Sequence, residues 1–138
     1  MNLKDFYFAD RHAEGSRMPI LLPNGEESGE WLQVIGPDCD AAVQAGRAYT
    51  AAIRKMDEDL LPLEKECEAL GNYAKYNDQR SYRVEDLNKQ LAQELVIGWS
   101  FDDEFSKEAL AELINQYRGL AMAVAEHHTK SREQLSVK

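Results

Sequence analysis

Glu126, His127 and His128 form the densest group of side chains here that could hold a metal or move a proton; His12 is the only other histidine. Adjacent residues on a helix point roughly 100° apart, so His127 and His128 cannot close on one metal as an i, i+4 pair does. They read as surface histidines near a helix end. The acids Asp57, Glu58, Asp59, Glu64, Glu66 and Glu68 are a second candidate, for a cation. They lack the alternating spacing and the glycine of a calcium loop and read as a solvated helix face. Gly25, Gly29 and Gly36 are too scattered to cradle a phosphate, and no nucleophile elbow, paired-cysteine motif or zinc motif occurs. Cys39 and Cys67 are too few for a disulfide framework. Reduced thiols in a cytosolic protein are the main reading, a Cys39–Cys67 bridge the lesser one. The expectation is a protein that is not an enzyme, with no catalytic residue, cofactor or metal.

Bulk properties narrow the partners. The 138 residues suffice for one domain with a real core, and a hydrophobic fraction of 43% argues against disorder throughout. With 16 basic and 25 acidic side chains the net charge is −9, which repels nucleic-acid phosphates and anionic membranes. MNLKDFYFADRH breaks every apolar run with charge and does not read as a secretory signal. No run approaches the ~20 apolar residues that span a bilayer.

The elements follow from periodicity. Phe6, Tyr7 and Phe8 suggest a short strand or an ordering tail. Residues 18–22 contain Pro19, which suits an edge strand, and residues 31–35 alternate as a second strand. Asn24, Gly25 and Gly29 between them predict a hairpin. Asp38 or Asp40 is placed to cap the next helix. Ala42, Ala45, Tyr49, Ala52, Met56, Leu60, Leu63, Cys67 and Leu70 then predict one long helix over 39–70, kinked or broken near Leu61 by Pro62. At ~1.5 Å per residue it would run on the order of 45–50 Å, more than a small core easily covers. Gly71-Asn72 ends it, and 72–81 reads as a mobile loop. A further helix over 82–97 carries Val84, Leu87, Leu91 and Leu95 on one face, with Gly98 as its left-handed stop. Ser106 is a plausible N-cap for a stripe of Leu110, Leu113, Ile114 and Tyr117. Arg118-Gly119 interrupts, so two helices rather than one are expected over 106–134, with 129–138 frayed. The fold class is mainly α: a small N-terminal β-hairpin over 1–37, then a bundle of three to five helices over 38–135, in a single domain.

Between those helices stands VIGWSFDDEF. Trp99, Phe101 and Phe105 on a sharp reversal most often dock two helices, and Trp99 is expected in the core. A helix ending in V-x-G-W-S-F-D, then an acidic turn and an amphipathic helix, resembles the tail assembly chaperones of long-tailed, siphovirus-type (lambdoid) bacteriophages. The resemblance extends loosely over 32–126, through the strand-to-helix entry at 31–38, the turn, and the helix after it. Arg118-Gly119 departs from it, since a proline is more typical there.

That resemblance implies a helical, non-catalytic protein of the host cytoplasm, absent from the mature virion. It would bind the long, aggregation-prone tape measure protein and keep it soluble until tail tube subunits polymerise. Such chaperones coat the tape measure in several copies and can self-associate. A frameshifted longer product often recruits the tube protein, and this chain would correspond to the shorter product. Phe105, Leu110 and Tyr117 are the expected protein-binding residues, though each could equally be core. The rival reading is a structural head–tail connector; an adaptor unrelated to phage is a third.

Overall fold

A computed structural model describes residues 1–136. A short 3-10 turn, Leu3–Phe6, leads into α1 (Ala9–Glu14). Strands β1 (Ser16–Leu21) and β2 (Glu27–Val34) follow, then α2 (Asp40–Leu70) and α3 (Ala74–Leu95). Strand β3 (Val96–Trp99) precedes α4 (Lys107–Gln116) and α5 (Leu120–Leu135). The sheet is antiparallel in the order β1-β2-β3. The mainly helical architecture with an N-terminal hairpin is therefore as the periodicity predicts.

Pro19 lies on the edge strand β1, where its missing N–H costs no ladder bond on the open side. Opposite it, β2 starts earlier than expected, at Glu27, so Gly29 sits inside the strand beside a register shift rather than in the turn. The N-terminal aromatics form no strand. Phe6 and Tyr7 stay exposed, and residues Leu3–Phe6 form a 3-10 turn instead. Asp38 and Asp40 do not cap α2; Cys39 holds the N-cap position without a side-chain bond, and Asp40 is already helical.

The helical hairpin α2–α3 corrects two expectations together. Residues 74–81 are helical, not a loop, so α3 runs alongside the far half of α2. Tyr49 Oη donates to Asn88 Oδ1 at 2.8 Å, Arg83 reaches Asp59 at 3.1 Å and Arg80 reaches Asp57 at 3.5 Å. Met56, Leu60 and Cys67 are consequently buried. The long stripe of α2 thus has an intramolecular cover that a shorter α3 would not have supplied. α2 is a single run of 31 residues with Pro62 inside it, and buried residues on both sides of the proline hold it together.

A further correction lies at 96–99. Helix α3 stops at Leu95, and the next residues add a third strand to the hairpin, with Leu32 opposite Trp99 and Gln33 opposite Gly98. Gly98 is not left-handed; pairing with β2, rather than a glycine cap, ends the helix. One core cluster joins the inner face of the sheet (Met18, Ile20, Leu32, Val34, Val96) to Leu95, Leu110, Ile114, Leu120 and Val124. Ser106 caps α4, its hydroxyl accepting from Ala109 N–H at 3.0 Å. The break before α5 falls at Gly119, whose φ of 89° favours glycine. Two helices follow Ser106, as expected.

The C-terminal segment is not frayed up to Ser136: Ser131 and Leu135 are buried and α5 is helical through Leu135. Residues 137–138 of that expectation lie outside the described residues. Both cysteines are buried and free, without a bridge between them. Among the described residues no helix is long and apolar enough to cross a membrane.

Candidate functional site

The turn after β3 is built around Trp99. Phe101 and Phe105 both meet its ring edge-to-face, with centroids 5.4 and 5.0 Å away, the arrangement aromatic quadrupoles favour. Trp99 Nε1 donates to the Asp103 carbonyl at 2.8 Å, which closes the turn on itself. Ser100 ties it to β2: its N–H donates to Trp31 O at 3.0 Å, and its hydroxyl donates to Glu30 Oε2 at 2.6 Å while accepting from Trp31 N–H at 2.7 Å. Lys107 donates to the carbonyls of Gln93 and Val96, placing a cation on the exposed carbonyls where α3 ends. All three rings are only partly buried, packed against the core on one side. Asp102, Asp103 and Glu104 rim them and are exposed. Trp99 is therefore a half-buried shoulder of the core rather than its centre.

The three predicted binding residues do not converge. Leu110 is 0% exposed and belongs to the core. Phe105 stands before α4 and Tyr117 after it, about 15 Å apart along its ten residues. Tyr117 is half-buried, and its hydroxyl donates to Leu21 O at the end of β1. The turn and the Tyr117 corner are thus separate surfaces.

A groove between α3 and the α4–α5 corner was not visible in the sequence. It encloses about 730 Å³, with Val84, Leu91, Ile114, Ala121, Met122 and Ala125 among its lining. Reading 72–81 as a loop leaves out Asn77, Arg80 and Ser81 from the α3 wall. The available signal was Ala121 and Ala125, small side chains one turn apart in an apolar stripe.

His127 and His128 are half-buried within α5 rather than surface residues near its end, and together with His12 they are structural ties. His12 is 0% exposed. Its Nδ1 accepts from Asp38 N–H at 3.0 Å, so the ring proton sits on Nε2 and points to Ser136 Oγ at 3.0 Å. Gly36 lies directly against this ring, where a Cβ would come within 2.4 Å of Nδ1, so a side chain is excluded. His128 Nδ1 donates to Ile35 O at 2.6 Å, and His127 Nε2 pairs with Ser16 Oγ at 2.8 Å. Arg132 adds a fork to the Asp38 carboxylate, with its Nη2 2.9 Å from Oδ1. Together these bind α5 to α1, β1 and the β2–α2 link. Among the described residues no three potential ligands gather as a metal site would require.

Burial, and secondarily the neighbouring His128, lowers the His127 pKa below its ordinary 6.5. The unfolded chain therefore binds this proton more readily, and stability falls as pH drops below about 6.5 until the folded-state pKa is passed. Thermal melts at pH 7.5 and 5.5 compare wild type with His127→Gln. The variant should show the smaller loss on acidification; an equal loss in both would remove His127 as a contributor.

One comparison with known proteins decides the family. The family described as phage tail assembly chaperone matches residues 43–136, well over half of the chain. The chain belongs to the phage tail assembly chaperone family. No curated protein and no solved structure matches it significantly. The match runs from early α2 through α5 and includes the Trp99 turn. It leaves out α1, β1 and β2, yet the chaperone's β3 has β2 as its ladder partner. In this chaperone the N-terminal hairpin therefore completes a sheet whose last strand belongs to the matched region.

Proposed function

We propose that this chaperone binds and solubilises a tape measure protein during tail morphogenesis and helps recruit tail tube subunits, the latter through a frameshifted longer product. It acts without catalysis or cofactor, in the host cytoplasm, and leaves before the virion is complete. The family match over residues 43–136 carries this reading. Physical character supports it. A net charge of −9 keeps the chaperone soluble, while Leu61, Leu70, Tyr73, Tyr82, Ile97 and Met122 leave apolar surface available to a client. The partly exposed rings of Phe105 and Tyr117 offer further contact edges, each packed against the core cluster to which Leu110 belongs. Weak self-association through exposed Leu61 and Leu70 of α2 belongs to the same reading.

The test co-expresses the cognate tape measure protein with and without this chain. Its soluble fraction should rise with the chaperone present, and the complex should survive moderate salt, which screens charges beyond ~8–10 Å but leaves apolar burial intact. A tape measure equally soluble alone, or a pair that never co-purifies, overturns the proposal. Stoichiometric chain in finished virions would instead indicate a head–tail connector.

A further inference from the structure

We propose that the groove between α3 and the α4–α5 corner docks one amphipathic helix of the client, apolar stripe inward and carboxylates along its flanks. The inference rests on the chaperone reading above and names the surface and the partner chemistry. Three observations carry it: the shape of the groove, its floor, and the sign of its rim.

The shape follows from local structure. Gly119 turns the chain between α4 and α5, and α5 packs against α3 with an open groove left beside their contact. Ala121 and Ala125 on α5 are too small to fill it, and across it Val84 and Leu91 face inward from α3. From Asn77 to Leu91 the α3 wall extends about 21 Å, room for three to four helical turns. The floor is apolar: Ile114 is 2% exposed beneath it, and Met122 is 73% exposed on its lip. Methionine is flexible and polarisable, and adapts to a helix laid against it.

The rim selects the partner. Arg80, Lys89 and Arg118 line the groove against a single acid, Glu85, in a chain where acids outnumber bases 25 to 16. Arg80 and Lys89 each have one carboxylate nearby, Asp57 at 3.5 Å and Glu85 at 3.7 Å. Among the described residues no carboxylate lies within 4 Å of the Arg118 guanidinium. A cationic rim on an anionic protein complements a partner with acidic flanks. A second copy is the weaker occupant, because each copy brings a net charge of −9.

The direct test uses two labelled synthetic helices of about 18 residues, long enough to hold a helix in water. Both carry the same leucine–alanine face; one has glutamate flanks and the other lysine flanks. Fluorescence anisotropy against the full chain should show the glutamate peptide binding at least about tenfold more tightly. Arg118→Glu and Met122→Glu, both at exposed positions, should each weaken it about tenfold with unchanged helical circular dichroism. Equal binding of the two peptides, no binding, or unaffected variants overturns the groove. So does a chain dimer that Met122→Glu dissociates and the peptide cannot displace, since that assigns the groove to a second copy.

Co-expression with the tape measure protein separates this inference from the functional reading. If the wild type solubilises the client and both variants do so equally well, the groove is wrong and the function stands. If the wild type itself fails, the function falls, and the peptides still judge the groove.

Discussion

Leu110→Ala lowers the unfolding free energy by about 2–5 kcal/mol while leaving client affinity of the folded fraction unchanged. Leu110 is fully buried on the first turns of α4, in the same cluster as Leu32, Val34, Leu95, Val96 and Val124. Truncation there removes the transfer free energy of the missing methyl groups and leaves a cavity between sheet and helices. The upper half of the range applies if the surroundings stay rigid. Leu110 lies where β3, α3 and α4 meet, and the Lys107 bonds and the Ser106 cap hold that corner in place. Chemical denaturation measures the first quantity, and client binding well below the melting temperature measures the second. A variant of near wild-type stability that nevertheless loses the client would return Leu110 to the binding surface and contradict its burial.

The Leu110 stripe shows what could be read from sequence and what could not. Its spacing with Ile114 marks a helix face that must be covered, and both are buried. Spacing alone does not say whether a core or a client covers that face. Local signals worked where a single residue's chemistry decides the outcome. Ser106 caps because its hydroxyl reaches an unpaired N–H, Pro19 keeps to a sheet edge, and Gly119 breaks the C-terminal helices. Signals failed where the outcome depends on a distant partner. Residues 74–81 lack an apolar stripe, and their helix is supported in part by Arg80 on Asp57 and by contact with α2. Residues 96–99 look like the tail of a helix until β2 offers an unpaired edge. His12 is a polar residue in a polar segment; only its ties to Asp38 and Ser136, far along the chain, explain its burial. The groove is of the same kind, formed where α3 meets the α4–α5 corner, a pairing that no local pattern announces.

Pro62→Ala raises stability by about 2 kcal/mol. Proline in a helix interior lacks the N–H that would bond to the carbonyl four residues earlier, here Glu58, and its ring crowds that carbonyl. The helix nevertheless continues from Asp40 to Leu70. Packing of Met56 and Leu60 before the proline and Cys67 after it therefore offsets a local cost near 3 kcal/mol relative to alanine. Alanine recovers most of that. About 0.4–1 kcal/mol is forfeited because the unfolded chain gains freedom that proline denied it. Pro62 is exposed, so no cavity follows its removal. The denaturation midpoint should move upward with an unchanged denaturant slope, since the buried surface is the same. A midpoint that stays put would mean that α2 is bent to fit α3 and that straightening it costs as much packing as the new hydrogen bond returns. A change in slope would point elsewhere, to an α2–α3 hairpin that unfolds separately from the sheet and α4–α5. Measuring client solubilisation on the same variant then links the helix to its work. If the stabilised chaperone holds the tape measure protein less well, the proline's local weakness serves binding; if equally well, α2 serves as a rigid support.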